Sequence, residues 1–238
     1  TGPTGSGKTT TLFSVLKYLN KPGVNVMTVE DPVEYRLPRV NQVQVNAAIG
    51  FDFSSALRSF LRQDPDVILI GEIRDLETAK IASQAALTGH LVLATIHTNS
   101  ALQAVTRLVE IGVEPFLVAP SIIGVMAQRL VRKICPHCKE PYPLSQEEID
   151  QYFVSDGHNP VSFYRGKGCI ECHHTGYQGR VAIQEIFIIT ETVRNLIVKG
   201  ASIIDINEAA KSEGFKNMRY DGFKKVLRGS TTVDEVER

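Results

Sequence analysis

The sequence predicts an α/β protein: a parallel sheet with helices on both faces. Three observations carry that expectation. Strand-length and helix-length runs alternate through residues 1–133, as βα units do. The runs VILI at 67–70 and LVLATI at 91–96 are apolar without alternation, which suits strands covered on both faces. Finally, Gly2-Pro3-Thr4-Gly5-Ser6-Gly7-Lys8-Thr9 fits the phosphate-loop pattern G-x-x-x-x-G-K-[ST] ahead of a helix-like run at 10–19.

Each residue type in that loop has a chemical reason. Glycines reach backbone conformations closed to other residues, so successive N–H groups can turn inward around an oxyanion. A helix starting at Lys8 adds the positive end of its dipole. Lys8 is placed to reach β- and γ-phosphates, and the Thr9 hydroxyl to ligate Mg²⁺. A Gly/Ser-rich loop that only precedes a helix is the bland alternative, and the full pattern argues against it.

The 238 residues suffice for one large domain or a core with appendages. With 43% hydrophobic and 22% charged residues and a formal net charge of +0, the composition is that of an ordinary soluble globular protein. Neither charge sign marks a nucleic-acid or membrane-surface partner. No apolar run approaches the ~20 residues that span a bilayer. Phosphate loops normally follow a buried strand; this chain opens at the loop and reads as a fragment of something longer.

Residues 24–30 (VNVMTVE) read as a strand leading into Glu30-Asp31-Pro32-Val33-Glu34. Three carboxylates there follow a strand's carboxyl end, where open α/β sheets bind ligands; a solvated acidic turn is the competing reading. Residues 39–46 alternate as a short strand or edge hairpin, and 54–62 as an amphipathic helix. Strand 67–70 ends at Gly71-Glu72. One carboxylate delivered beside a phosphate loop is the Walker B arrangement, which holds Mg²⁺ or polarises water. Asp75 caps a helix that stops at Gly89. Strand 91–96 then brings His97 to the edge that carries Glu34 and Glu72. A lone histidine is more often structural, but three polar groups converging on one pocket shift that balance. Helices are expected at 100–111 and from Pro115 to about Arg132, with Arg129, Arg132 and Lys133 complementing the second one's dipole. A strand at 180–189 and helices at 191–199, 205–213, 218–227 and from Thr232 complete the chain.

The four cysteines form two C-x-x-C pairs, Cys135/Cys138 and Cys169/Cys172. Four thiolates make the tetrahedral set that Zn²⁺ prefers, in a closed and therefore structural site. Such pairing suits a reducing compartment, so the cytoplasm is the expected location. His137, His173 and His174 flank the knuckles as substitute ligands. A helix with a Ser145/Glu148 capping box is expected between the pairs. Turns at Pro136, Pro141, Pro143 and Pro160 set the module apart from the core.

Over nearly the whole chain these residues resemble the secretion-type ATPases that drive type IV pilus assembly and type II secretion. The matching runs are GPTGSGKTTTL (2–12), VEDPVEY (29–35), RQDPDVILIGEIRD (62–75), TGHLVLATIHTN (88–99), QRLVRKICPHC (128–138), GCIEC (168–172) and HTGYQGR (174–180). In that family they are the Walker A motif, aspartate box, atypical Walker B motif, histidine box and tetracysteine module. The resemblance implies a RecA-like core over 1–134, a zinc-binding subdomain over 135–180 and a strand with helices over 181–238. It implies ATP, Mg²⁺ and Zn²⁺, a homohexameric ring peripheral to the inner membrane, and a membrane platform protein as partner, with neither nucleic acid nor membrane insertion. Carried over, Gly2, Pro3, Thr4, Gly5, Ser6, Gly7, Lys8, Thr9 and Thr10 hold the nucleotide, with Thr9 and Glu72 on Mg²⁺. Glu34 activates water, with Glu30 as the rival; His97 senses the γ-phosphate; Cys135, Cys138, Cys169 and Cys172 hold Zn²⁺. Asp31 and Arg74 belong to the same motifs without an assigned role. The stretches at 40–46 and 56–65 look closer to pilus assembly motors than to type II secretion motors. In these hexamers a preceding domain supplies arginines to the ATP site, so weak turnover is expected from the present residues alone. A nucleic-acid translocase is the reading from another class, and the missing basic footprint counts against it. A non-hydrolytic scaffold is a third, opposed by the joint presence of Glu34, Glu72 and His97.

Overall fold

Four parallel strands, β1 (Val26–Glu30), β2 (Asn41–Gln44), β3 (Val67–Ile70) and β4 (Leu91–Ala94), form a sheet in the order β2-β1-β3-β4. The structure is a computed structural model describing residues 1–144, 147, 149 and 162–238. The expected capping box at Ser145 and Glu148 and the turn at Pro160 lie outside the described residues. Strand parity sorts the side chains into two cores. Val26, Val67 and Leu69 pack with Phe13 and Leu16 of helix α1 (Lys8–Leu19). On the other face Met27, Val29, Ile68 and Ile70 pack with Ala56, Leu57 and Phe60 of α2 (Phe53–Phe60) and Ile81, Ala82 and Ala85 of α3 (Leu76–Leu87). Asp52 starts α2, accepting the Ser55 N–H, and Asp75 starts α3, accepting the Thr78 N–H, both at 2.8 Å.

Of the two readings of 39–46, the short strand is the one that forms: β2 pairs parallel to β1, Thr28 opposite Gln42, and beyond it Asn46 makes one antiparallel bridge with Phe51. β4 is only half-buried and its Ala94 is exposed, since it is the outer strand of the described sheet.

Helix α4 (Ala101–Ile111) runs from the Ser100 cap to Gly112, whose φ of 109° needs a glycine. The next helix, α5 (Pro115–Ser121), is much shorter than expected. Pro120 and Gly124 disfavour its continuation, and Gly124–Ile134 becomes strand β5. Arg129, Arg132 and Lys133 therefore sit on a strand and have no helix dipole to complement.

Antiparallel strands β6 (Lys139–Tyr142) and β7 (Phe163–Gly166) follow, with Pro141 inside β6 rather than in a turn. Strand β8 (Tyr177–Ile188) pairs with β5. The chain ends in α6 (Glu191–Val198), α7 (Ile203–Ser212), α8 (Met218–Leu227) and α9 (Val233–Glu237). Two compact units result, Thr1–Ala127 with Ile186–Phe215, and Gln128–Glu185 with Lys216–Arg238. In the second, Phe163, Phe223, Val226 and Val233 form the buried cluster. No helix among the described residues is long and apolar enough to cross a membrane.

Candidate nucleotide site and cysteine cluster

The phosphate loop takes the shape its glycines allow. Gly5 and Gly7 stand at φ 76° and 87°, and the Ser6 N–H turns back to the Pro3 carbonyl at 3.2 Å. Gly7 caps α1, whose first turn carries no acid to oppose its positive end. The Lys8 ammonium folds across the loop, donating to the Gly2 and Pro3 carbonyls at 2.8 and 3.0 Å. Burial lowers the Lys8 pKa, and the Glu72 charge acts in the opposite direction. The Thr1 hydroxyl bonds the Ile96 carbonyl at 2.5 Å and accepts the Thr98 N–H at 3.0 Å, stitching the loop's start to the segment carrying His97.

Strand ends supply the carboxylates. Gly71 extends the β3 ladder by donating to the Val29 carbonyl at 2.8 Å, and Glu72 follows it, nearly buried. Arg74 pairs with Glu72 Oε1. Glu72 Oε2 is buried without a hydrogen-bond partner, and His97 Nε2 lies 3.4 Å from it. The Thr95 hydroxyl, donating to the Gly71 carbonyl at 2.6 Å, ties the end of β4 to that of β3. Glu30 closes β1 and is 4% exposed; Thr28 Oγ1 donates to its Oε1 at 2.6 Å and Gln42 Nε2 at 3.0 Å.

One pocket gathers these groups. Thr9, Leu12 and Phe13 line it from α1, with Glu30, Asp31, Pro32, Glu34, Phe53, Leu69, Gly71, Glu72 and Thr95 around them. Of the sequence-predicted residues, Thr9, Glu30, Glu34 and Glu72 meet here; His97 joins through Glu72. Glu34 is exposed on the loop past β1. Thr28, Gln42, Phe53 and Thr95 escaped sequence reasoning. The alternating V-N-Q-V-Q-V run hinted at Gln42, but its partner depends on strand register. The buried orphan oxygen of Glu72 and the Thr9 hydroxyl on one pocket fit a hard divalent cation, which takes oxygen ligands.

In the second unit, the sulfurs of Cys135, Cys138, Cys169 and Cys172 all lie within 4.8 Å of one another. Gly168 N–H points at the Cys138 sulfur (3.3 Å), and the Cys169 and Gly176 N–H groups at that of Cys172 (3.2 and 3.3 Å). Burial pushes the Cys138 thiol up to about 12 and raises Cys169. For Cys172, burial raises the pKa, but the two amide donors prevail and bring it to about 6. Four clustered sulfurs with backbone donors behind them fit a thiophilic metal ion. His137, His173 and His174 contribute no nitrogen to this group.

The chain resembles known proteins over its whole length. The chain is 52% identical over 237 residues to a protein of Thermus thermophilus named type IV pilus assembly ATPase PilB, covering 99% of this chain and 27% of that protein. It is 54% identical over 238 residues to the type II secretion system protein HxcR of Pseudomonas aeruginosa, covering 100% of this chain and 47% of that one. The chain thus spans about a quarter to a half of the length of these relatives. A crystal structure of the pilus retraction motor PilT with bound ADP superposes with a TM-score of 0.72 at 30% identity, over 99% of this chain and 58% of that one. The sequence model described as type II/IV secretion system protein matches residues 1–238, and the chain belongs to that family.

Proposed function

We propose that this chain is the RecA-like, ATP-hydrolysing part of a motor for type IV pilus assembly. The observation that carries the reading is the pocket in which Thr9, Glu30, Glu34 and Glu72 meet beside the phosphate loop. Loop amides, the Gly2–Thr10 segment and Lys8 bind the triphosphate, Lys8 exchanging the Gly2 and Pro3 carbonyls for phosphate oxygens. Thr9 and Glu72 hold Mg²⁺, which neutralises charge on the phosphates. Glu34, or Glu30 as its rival, takes a proton from the attacking water. His97, beside Glu72, reports whether the γ-phosphate is present. The cysteines hold a structural Zn²⁺. The working protein is a homohexamer on the cytoplasmic face of the inner membrane, acting on a platform protein there. The 54% identity to HxcR favours a second reading, a type II secretion motor of the same chemistry.

The test is ATP turnover and nucleotide binding in the full-length protein. Lys8→Ala should abolish nucleotide binding. Glu72→Gln should bind nucleotide yet lose at least about 100-fold in turnover, the scale of a transition-state electrostatic group. Normal hydrolysis by both variants would defeat the reading.

A further inference from the structure

We propose that Gln42 is a positioning residue for ATP hydrolysis: its carboxamide fixes Glu30 and braces the loop that carries Glu34. The proposal rests on the reading of the pocket as a hydrolytic site.

Register supplies the first step. Thr28 lies opposite Gln42 and Glu30 opposite Gln44 in the parallel pairing of β1 with β2. Side chains two residues apart share a face, so these four polar groups line one side of the sheet. That is the side covered by α1, where Thr9 and Phe13 line the pocket. Thr28 and Gln42 donate to the same oxygen of Glu30, at 2.6 and 3.0 Å.

The carboxamide's orientation follows from its partners. Gln42 Nε2 faces two acceptors, Glu30 Oε1 and the Tyr35 carbonyl at 3.2 Å, while its Oε1 accepts the Leu37 N–H at 2.6 Å. Turned over, its oxygen would face two acceptors and its NH₂ a donor. The Gln42 backbone carbonyl accepts from Arg36 at 3.1 Å, and Gln44 Oε1 accepts the Val33 N–H at 3.2 Å. Glu34 therefore sits between two residues anchored to β2. Tyr35 is further held edge-on against Phe13, ring centroids 4.4 Å apart.

A neutral donor suits this task. A carboxylate buried like Glu30 needs hydrogen-bond donors. A lysine would supply them but would also neutralise the charge that makes a carboxylate a proton acceptor. A carboxamide orients it and adds no charge. Whichever of Glu30 and Glu34 receives the proton, Gln42 sets its place.

The experiment measures kcat, KM and affinity for a non-hydrolysable ATP analogue in the full-length protein. Gln42→Leu removes donor and acceptor at similar volume. Gln42→Glu keeps the acceptor for Leu37 but turns a like charge toward Glu30. Both should lose about 10- to 100-fold in kcat, the scale of a small misplacement at a reacting centre, with KM and analogue affinity within about twofold of wild type. Gln44→Leu, which frees only Val33, should lose less. Wild-type kcat in either Gln42 variant would overturn the proposal, and so would kcat and analogue affinity falling together, as a purely structural role predicts. Glu30→Gln and Glu34→Gln separate the two levels. If both hydrolyse ATP normally, the pocket reading fails and the role of Gln42 with it. If either is crippled while the Gln42 variants are not, only the role of Gln42 fails.

Discussion

The pocket of the first unit draws Thr9, Glu30, Glu72 and Thr95 from four separate segments, which meet because a parallel sheet brings its strand ends to one edge. The cluster of the second unit draws its sulfurs from two short knuckles. The first pocket is framed by two buried apolar layers. The second brings together four thiols, two with raised pKa values, and thiols become good metal ligands only by losing their protons. Removing a side chain should thus damage chemistry in the first unit and architecture in the second.

The largest effect should come from breaking the second half of that comparison. The double variant Cys135→Ser with Cys172→Ser leaves two sulfurs of four. Structural zinc supplies apparent binding energies of about 10–16 kcal/mol in small metal domains, so its loss is on the scale of a domain's whole stability. Metal analysis should show the ion gone. Amide exchange should accelerate across 128–144, 162–185 and 216–238 while the phosphate loop keeps its protection. Unchanged metal content would mean that other groups hold the ion.

The first half is sharpened by Gly71→Ala. A Cβ there would stand 3.3 Å from both the Glu30 Cα and the Val29 carbonyl oxygen and 3.5 Å from the Phe53 ring. Two of the three are backbone of the central strand and cannot swing aside. The expected cost is about 1–3 kcal/mol of overpacking, with kcat falling by up to about 100-fold as Glu72 shifts from Thr9. Metal content should not change. A variant with normal turnover would show that the strand end tolerates displacement.

What the chain disclosed before folding follows the same division. The phosphate loop, the Asp75 and Ser100 caps and the paired cysteines were legible because each is defined by residues a few positions apart. The convergence of Glu34 and Glu72 was legible too, since a parallel sheet fixes where strand ends go. The hydrogen bonds of Gln42 to Glu30 and of Thr95 to Gly71 were not, because they depend on register and on which strands are neighbours. β5 was misread because the long apolar run after Pro115 looked helical. There Pro120 and Gly124 outweigh that pattern, and pairing with the distant β8 supplies the alternative. Arg132 was misread with it, since its partner Glu235 lies 103 residues on.

That partnership gives the smallest predicted effect and the finest test of how the second unit is held. Arg132 lies 4.2 Å over the Tyr177 ring and donates to Glu235 Oε1 at 2.7 Å, while its backbone N–H donates to Oε2 at 2.8 Å. Burial pushes the Glu235 carboxyl up, but the donors from Arg132 outweigh it and hold the group below its ordinary 4.5. A folded-state pKa below the unfolded one means that the ionised carboxylate stabilises the fold above about pH 4.5, and that this contribution disappears as the pH falls through the folded value. Glu235→Gln keeps the shape and one acceptor but loses the charge. At neutral pH it should lower the melting temperature of the second unit by a few degrees, and the gap to wild type should close as the solution is acidified. A gap that persists unchanged at low pH would assign the contact to packing of Arg132 on Tyr177 instead of charge. Because Glu235 lies outside the first unit, nucleotide affinity should stay at the wild-type value throughout.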